Sequence, residues 1–286
     1  MSRNKERLGV PTPESDSLPP QALQSEPESG GFSFVIPTEF VELPSGGNFY
    51  PEGHPLCGQE SIEIKQMTAK EEDMLSSRTL LKKGVALDRV IESVILNKAI
   101  DPDQMLVGDK NAVIIATRVS GYGSEYTTQV TCPNCGASQD YAFDLNEAVI
   151  TNGAQENTAL FTNNNNGTFR TVLPRTKLKV DFRLMTGHDE KEILNQMETA
   201  RKRRQHEQTV TLQLRKMVVA VEDNNTNEAI NYLIENMPSA DSRHLRMAYK
   251  LAAPNVTLDQ RFECNECEFE QTMEVPLTAD FFWPNR

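Results

Sequence analysis

Two short cysteine pairs, Cys132-Pro133-Asn134-Cys135 and Cys264-Asn265-Glu266-Cys267, constrain this chain more than any other feature. A two-residue gap lets both sulfurs of one turn face the same tetrahedral ion, with zinc–sulfur distances near ~2.3 Å. Each pair sits among residues that alternate apolar and polar in the manner of short strands. The first follows residues 127–131 and precedes Tyr141, Phe143 and Leu145; the second follows Val256, Leu258 and Phe262 and precedes Phe269, Met273 and Val275. The 128 residues 136–263 lie between the pairs, far more than the spacing inside a usual ribbon. The pattern predicts one four-cysteine zinc ribbon with Cys132, Cys135, Cys264 and Cys267 as ligands. A large insertion splits it in sequence, and the ion ties the start of that insertion to its end.

One such pair alone would read equally well as a redox dithiol. Two pairs flanked by strands, the first with Pro133 and Gly136 in its turn, favour zinc. Four sulfurs leave no open position for water or substrate, so the expected ion is structural rather than catalytic. His54 and Cys57 form a second possible ligand pair, but they lie in a Pro/Gly loop without flanking strands and read as bystanders.

The net charge of −12 argues against a general binder of nucleic acid or anionic membrane, because phosphate contacts need an excess of Lys and Arg. Four of the five cysteines fall in the two pairs, which suits a reducing compartment better than a disulfide framework. No apolar run approaches the ~20 residues that cross a bilayer, and the first residues lack the apolar stretch of a signal peptide. The expected location is inside a cell. At 286 residues the chain is long enough for one large domain or two small ones with a sizeable core.

The predicted fold class is α+β: a small antiparallel zinc-ribbon sheet split by a helical insertion, with N-terminal helices packed against it. Residues 1–31, rich in Pro, Ser, Glu and Gln, read as a disordered tail. Residues 32–150 hold the N-terminal helices and the first half of the ribbon, 151–253 a strand plus the helical insertion, and 254–286 the second half and a C-terminal tail. The glycines of residues 43–51 (LPSGGNFYP) read as turn geometry. Thr68-Ala69-Lys70-Glu71 is a capping box opening a helix to about Lys83, with Gly84 past its end.

Leu87, Val90, Ile91, Val94 and Ile95 mark a second helix, and residues 109–120 a third, buried on more than one side and stopped by Gly121 and Gly123. Leu178, Val180, Phe182 and Leu184 mark one face of a strand within 169–184, expected to pair with the zinc-hairpin strands. Residues 189–223 keep one helical register; a continuous helix there would span about 50 Å, so it either projects or bends back near Gln205. The basic run 201–204 reads as a solvated helix face. Two shorter helices follow at 227–235 and 239–251. Phe281, Phe282 and Trp283 read as core packing first and a partner-facing anchor second.

No P-loop, nucleophile elbow, zinc-protease helix or dinucleotide fingerprint occurs, and His54, His188, His206 and His244 lack a matching nucleophile or carboxylate. Enzymatic activity is not expected. Residues 43–51, 67–75 (MTAKEEDML), 108–135 (GDKNAVIIATRVSGYGSEYTTQVTCPNC) and 173–193 (LPRTKLKVDFRLMTGHDEKEI) resemble the baseplate hub assembly proteins of T-even-like contractile-tailed bacteriophages. The resemblance implies a non-enzymatic part in building or forming the central baseplate, in the virion tail or in the host cytoplasm during assembly. It implies other baseplate or tail proteins as partners, with no membrane and no small-molecule substrate. The alternative is a zinc-ribbon module for nucleic acid or transcription. Glu263, Glu266, Glu268, Glu270 and Glu274 surround the second hairpin, where a phosphate contact would want cations.

Overall fold

A computed structural model describes residues 23–24, 34–82, 84–154, 158–203, 206, 208–275 and 279–282. Most of the expected disordered tail and Trp283 lie outside the described residues. Strand β1 (Leu23–Gln24) pairs with β2 (Val35–Ile36), and β3 (Thr38–Glu42) pairs antiparallel with β4 (Ser61–Lys65). Between β3 and β4 the loop of residues 43–60 turns through Gly46 and Gly47, whose φ values of 54° and 73° favour glycine.

Helix α1 (Ala69–Ser76) opens on the expected capping box: Thr68 donates to Glu71 Oε2 from its backbone N–H at 2.9 Å and from its hydroxyl at 2.6 Å. It stops earlier than expected, because Ser77 is extended, and α2 (Arg78–Lys82) restarts before Gly84. Helix α3 (Ala86–Val94) buries Val90, Ile91 and Val94. Helix α4 (Val107–Tyr122) is the central element. It buries Val113, Ile114, Ile115, Thr117 and Arg118 and touches β3, α3 and the last described turn, Ala279–Phe282. Gly121 lies within it, and only Gly123, at φ 81°, ends it.

Strands β5 (Glu125–Thr131) and β6 (Ser138–Asp144) form the first cysteine hairpin, followed by β7 (Val149–Thr151). The insertion then departs from the sequence reading. Residues 169–184 are not one strand beside the cysteine hairpins. They form β9 (Thr168–Val172) and β10 (Lys179–Arg183) of a separate four-stranded antiparallel sheet, ordered β11-β10-β9-β8, with β8 at Thr162–Asn163 and β11 at Val218–Val221. The turn between β9 and β10 places Lys177 at φ 63°, and a distant carboxylate holds it. Asp241 accepts from Arg175 N at 2.7 Å, Thr176 N at 3.0 Å and Thr176 Oγ1 at 2.9 Å.

The 189–223 register is broken into three elements: α5 (Gly187–Lys202), α6 (Thr209–Met217) and β11. The chain bends back after Lys202, α6 packs on α5, and four residues of Val-Val-Ala-Val become a strand because the edge of β10 is there to pair with them. Helices α7 (Asn227–Asn236) and α8 (Ser239–Ala252) lie where the sequence placed them. The chain returns through β12 (Asn255–Thr257), which pairs with β7, into β13 (Asp259–Glu263) and β14 (Glu270–Glu274).

One apolar cluster joins β3, β4, α1, α3 and α4 to the cysteine hairpins, to strands β9–β11 and to helices α6–α8. Within it Phe169 stacks on Phe182 at 5.4 Å and meets Phe161 edge-on at 5.3 Å. Phe281 and Phe282 are buried, and the Phe281 ring packs on Tyr126 at 5.0 Å. No helix among the described residues is long and apolar enough to cross a membrane.

Candidate metal centre

The cysteines sit in two knuckles of matching geometry at the ends of β5–β6 and β13–β14. In the first, Cys132 N donates to Ala137 O at 2.8 Å and Gly136 N to Cys132 O at 2.9 Å. In the second, Cys264 N donates to Phe269 O at 2.9 Å and Glu268 N to Cys264 O at 3.0 Å. Gly136 and Glu268 occupy the same place in each turn, and both have left-handed φ, 76° and 55°. Repeating one backbone design twice aims each pair of sulfurs inward.

The two hairpins are not one continuous sheet; side chains stitch them together. Gln139 Nε2 donates to Glu263 O at 2.8 Å, and its Oε1 accepts from Asn265 N at 2.8 Å. Gln260 mirrors this, accepting from Asp144 N at 3.0 Å and donating to Asp144 O at 2.5 Å. The Tyr141 hydroxyl donates to Arg261 O at 2.8 Å, and its ring packs on Phe262. Glutamine suits this role because its amide donates and accepts at once, as a backbone unit does. Gln139 and Tyr141 share the alternation of Phe143 and Leu145, and Gln260 that of Leu258 and Phe262, so the sequence places them on the apolar side of each hairpin but does not show what they bind.

The outcome is that Cys132, Cys135, Cys264 and Cys267 bring all four sulfurs within 4.8 Å of one another. Two of these contacts cross between the halves, at 3.8 Å for Cys132 with Cys267 and 3.7 Å for Cys135 with Cys264. Sulfurs at the corners of a tetrahedron with ~2.3 Å bonds stand about 3.8 Å apart, so the donor set and its spacing fit one tetrahedral ion. A disulfide would require about 2.05 Å. The backbone amide of Cys135 lowers the Cys132 thiol to about 7. At Cys135 the lowering effect of the Ala137 amide is outweighed by the neighbouring sulfurs of Cys267, Cys264 and Cys132, which raise the thiol to about 12, as expected of thiols crowded into one site. Cys132 and Cys264 are buried while Cys135 is exposed, so the cluster lies just under the surface.

His54 and Cys57 are not part of this site. The His54 ring stacks on Tyr50 at 4.5 Å and its Nδ1 accepts from Leu56 N at 3.2 Å, a loop-shaping role.

Away from the cysteines, three buried polar groups join distant segments. Asp109, in the first turn of α4, accepts from Ser45 N at 2.9 Å, Ser45 Oγ at 2.6 Å and Tyr50 OH at 2.6 Å. Tyr50 OH in turn accepts from Leu106 N at 2.9 Å, so the 43–51 loop is clasped to the start of α4. Arg118 has no carboxylate partner among the described residues; its guanidinium donates to the carbonyls of Phe281, Gly123 and Glu125. Arg183 pairs with Asp189, which also accepts from Thr186 N at 3.0 Å and so caps α5. The sequence singles out none of these contacts.

A family model described as "T4 bacteriophage base plate protein" matches residues 36–283. The chain belongs to that family. No curated protein and no solved structure matches it. Membership gives a baseplate protein of the virion tail, in keeping with the resemblance carried by its four sequence stretches. Those stretches supply the polar joints just described. The 43–51 loop and Asp109 meet in one clasp, Thr68 and Glu71 cap α1, and Arg183, Thr186 and Asp189 cap α5. In this baseplate protein these stretches carry internal fastenings of the fold.

Proposed function

We propose that this baseplate protein is a non-enzymatic structural or assembly component of the hub region, shaped by one structural zinc on Cys132, Cys135, Cys264 and Cys267. Family membership supports the baseplate role. The observation that carries the zinc is the convergence of four sulfurs from two knuckles at tetrahedral spacing. When bound, zinc supplies a closed four-sulfur cross-link and no open coordination position. Its partners are other tail proteins. An acidic chain whose second knuckle exposes Glu263, Glu266, Glu268, Glu270 and Glu274 disfavours phosphate, which separates this reading from a nucleic-acid-binding ribbon.

Elemental analysis of the purified protein tests the metal: one zinc per chain is expected, and none or two would sink the split ribbon. Binding to duplex or single-stranded DNA at moderate salt should be no tighter than millimolar. Micromolar affinity with a steep salt slope would favour the nucleic-acid module instead.

A further inference from the structure

The insertion carries a run of four asparagines, 163–166, followed by Gly167, in the tight loop that joins β8 to β9. A second Asn-Gly pair, Asn152-Gly153, follows β7. Asparagine before glycine is the sequence most open to attack by the following backbone nitrogen on the side-chain amide, because glycine puts no side chain in the way. By sequence the two pairs are equivalent. By structure they are not.

At the first pair, Asn166 and Gly167 are both exposed, and the heavy atom nearest to a side chain built on Gly167 is Phe49 O at 3.9 Å. The Gly167 amide donates to nothing among the described contacts. The Asn166 side-chain oxygen accepts two hydrogen bonds, from Thr168 Oγ1 at 2.6 Å and Thr168 N at 3.1 Å. These bonds draw electron density from the amide carbon, and they stand where negative charge gathers on the oxygen during attack. They also fold the side chain over the backbone that follows it.

At the second pair the chain is pinned on both sides. Thr151 pairs with Asn255, and Ala154 N donates to Leu251 O at 3.0 Å. Gly153 lies so close to α8 that a Cβ there would stand 2.3 Å from Ala252 O and 2.9 Å from Pro254 N. Its amide nitrogen cannot swing toward the Asn152 side chain without breaking these contacts.

We propose that Asn166 is a site of spontaneous deamidation in the folded protein, and that Asn152 is protected. Gly167 N, after giving its proton to solvent, attacks Asn166 Cγ. A new C–N bond closes a five-membered succinimide, the bond to Nδ2 breaks, and the nitrogen leaves as ammonia. Water then opens the ring at either carbonyl to give aspartate or isoaspartate. One water enters, one ammonia leaves, and nothing is oxidised or reduced.

The product changes a functional-looking surface. Asn166 edges a cleft of about 1050 Å³ that is also lined by Phe49, His54, Arg183 and His188. A carboxylate there shares the cleft lining with the histidines and with Arg183, which already pairs with Asp189. Isoaspartate also adds a backbone atom to a loop whose flanking register, Asn163 against Phe169, is tight.

The test is peptide mass mapping of the intact folded protein during prolonged incubation at mildly alkaline pH, with enzymatic labelling of isoaspartate. Acid and isoaspartate should accumulate at position 166 while Asn152 stays amide. In the chain unfolded by denaturant the two sites should convert at similar rates. Gly167→Ala should slow conversion by at least an order of magnitude. Because that residue sits at φ 79°, Asn166→Gln, which would need a larger ring, serves as a second variant that should stay amide with the loop unstrained. An unchanged Asn166 in the folded chain, or conversion at Asn152 as fast as at Asn166, would overturn the proposal.

Discussion

Glu71 shows how much one buried carboxylate holds in this protein. Its side chain is fully buried, yet it accepts from Lys65 Nζ at 2.7 Å, Ser93 Oγ at 2.5 Å and both polar groups of Thr68. Burial alone would push its pKa up. The hydrogen bonds from Lys65, Ser93 and Thr68 prevail and bring it from 4.5 to about 2. A depressed pKa means stability that is fully present above 4.5 and is lost as pH falls toward about 2; the shift corresponds to about 3 kcal/mol. Glu71→Gln should therefore cost about 2–3 kcal/mol in denaturant unfolding at pH 7, and the gap to wild type should close as pH approaches the folded pKa. A gap that is constant with pH would show that the charge is not what matters.

The knuckles give a second prediction at this scale. Glu268 sits in the left-handed region where its counterpart is Gly136, a strain of roughly 1 kcal/mol for a side chain. Glu268→Gly should stabilise the protein slightly, or at worst be neutral, because glycine also frees the unfolded chain. Gly136→Ala should destabilise it by about 1 kcal/mol, although open space surrounds that position. Thermal melts of the two variants moving in the same direction would contradict the equivalence of the turns.

At the scale of elements, α4 decides the architecture because other segments are fitted to its surface at backbone distance. Gly108 lies in its first turn, and a Cβ there would stand 2.1 Å from Pro254 O. Helix propensity alone says that Gly108→Ala should stabilise by about 1 kcal/mol. The contact reverses the sign: α4 and β12 must part, at a cost of about 1–3 kcal/mol. Unfolding midpoints measure which effect wins. The same contrast explains what the sequence could reveal. Helices α3, α4, α7 and α8 were legible because each carries an apolar face and its own local stop, as did the cysteine hairpins with their alternating strands. The β9–β10 hairpin was not, since the carboxylate that holds its turn, Asp241, stands 65 residues on. Nor was β11, because Val218 and Val221 also continue the helical spacing of Leu214 and Met217; only the edge of β10 makes them a strand. The four cysteines were legible as a set, whereas Gln139, Tyr141 and Gln260 lie on the apolar phase of their strands, and nothing in the sequence shows that they bind backbone groups across the two hairpins.

At the scale of the whole molecule the insertion proves to be fastened by more than the four cysteines, and this revises what loss of the proposed zinc would do. From the sequence, the cysteines alone tie its start to its end, so removing the ion would free it from the N-terminal helices. The fold adds the β7–β12 ladder across the two ends of the insertion and a further clasp onto the N-terminal part. Gly187 N donates to Met105 O at 2.8 Å, Val107 N to Met185 O at 3.2 Å, and Lys191 reaches Asp88 and Asp103 at 3.4 and 3.1 Å. Lys110 on α4 pairs with the same Asp88 at 2.7 Å, and a common apolar core lies beneath. Structural zinc in small peptides is worth about 10–16 kcal/mol, comparable to the stability of a whole domain, so loss of the proposed ion must be felt somewhere. With the insertion held by its own clasp and by the β7–β12 ladder, the loss should fall on the cysteine ends of the hairpins, which are joined by the three side-chain stitches and the Tyr141–Phe262 packing. We expect a strong chelator to raise amide exchange sharply in β5–β6 and β13–β14 while α5 and the β8–β11 sheet stay protected. Cys132→Ser and Cys264→Ser should each reproduce that pattern, with the double variant little worse than either, since either loss opens the same four-sulfur site. Exchange rising equally across the insertion would mean that the metal, rather than the 105–107 and 185–187 crossing, carries the assembly of the two parts.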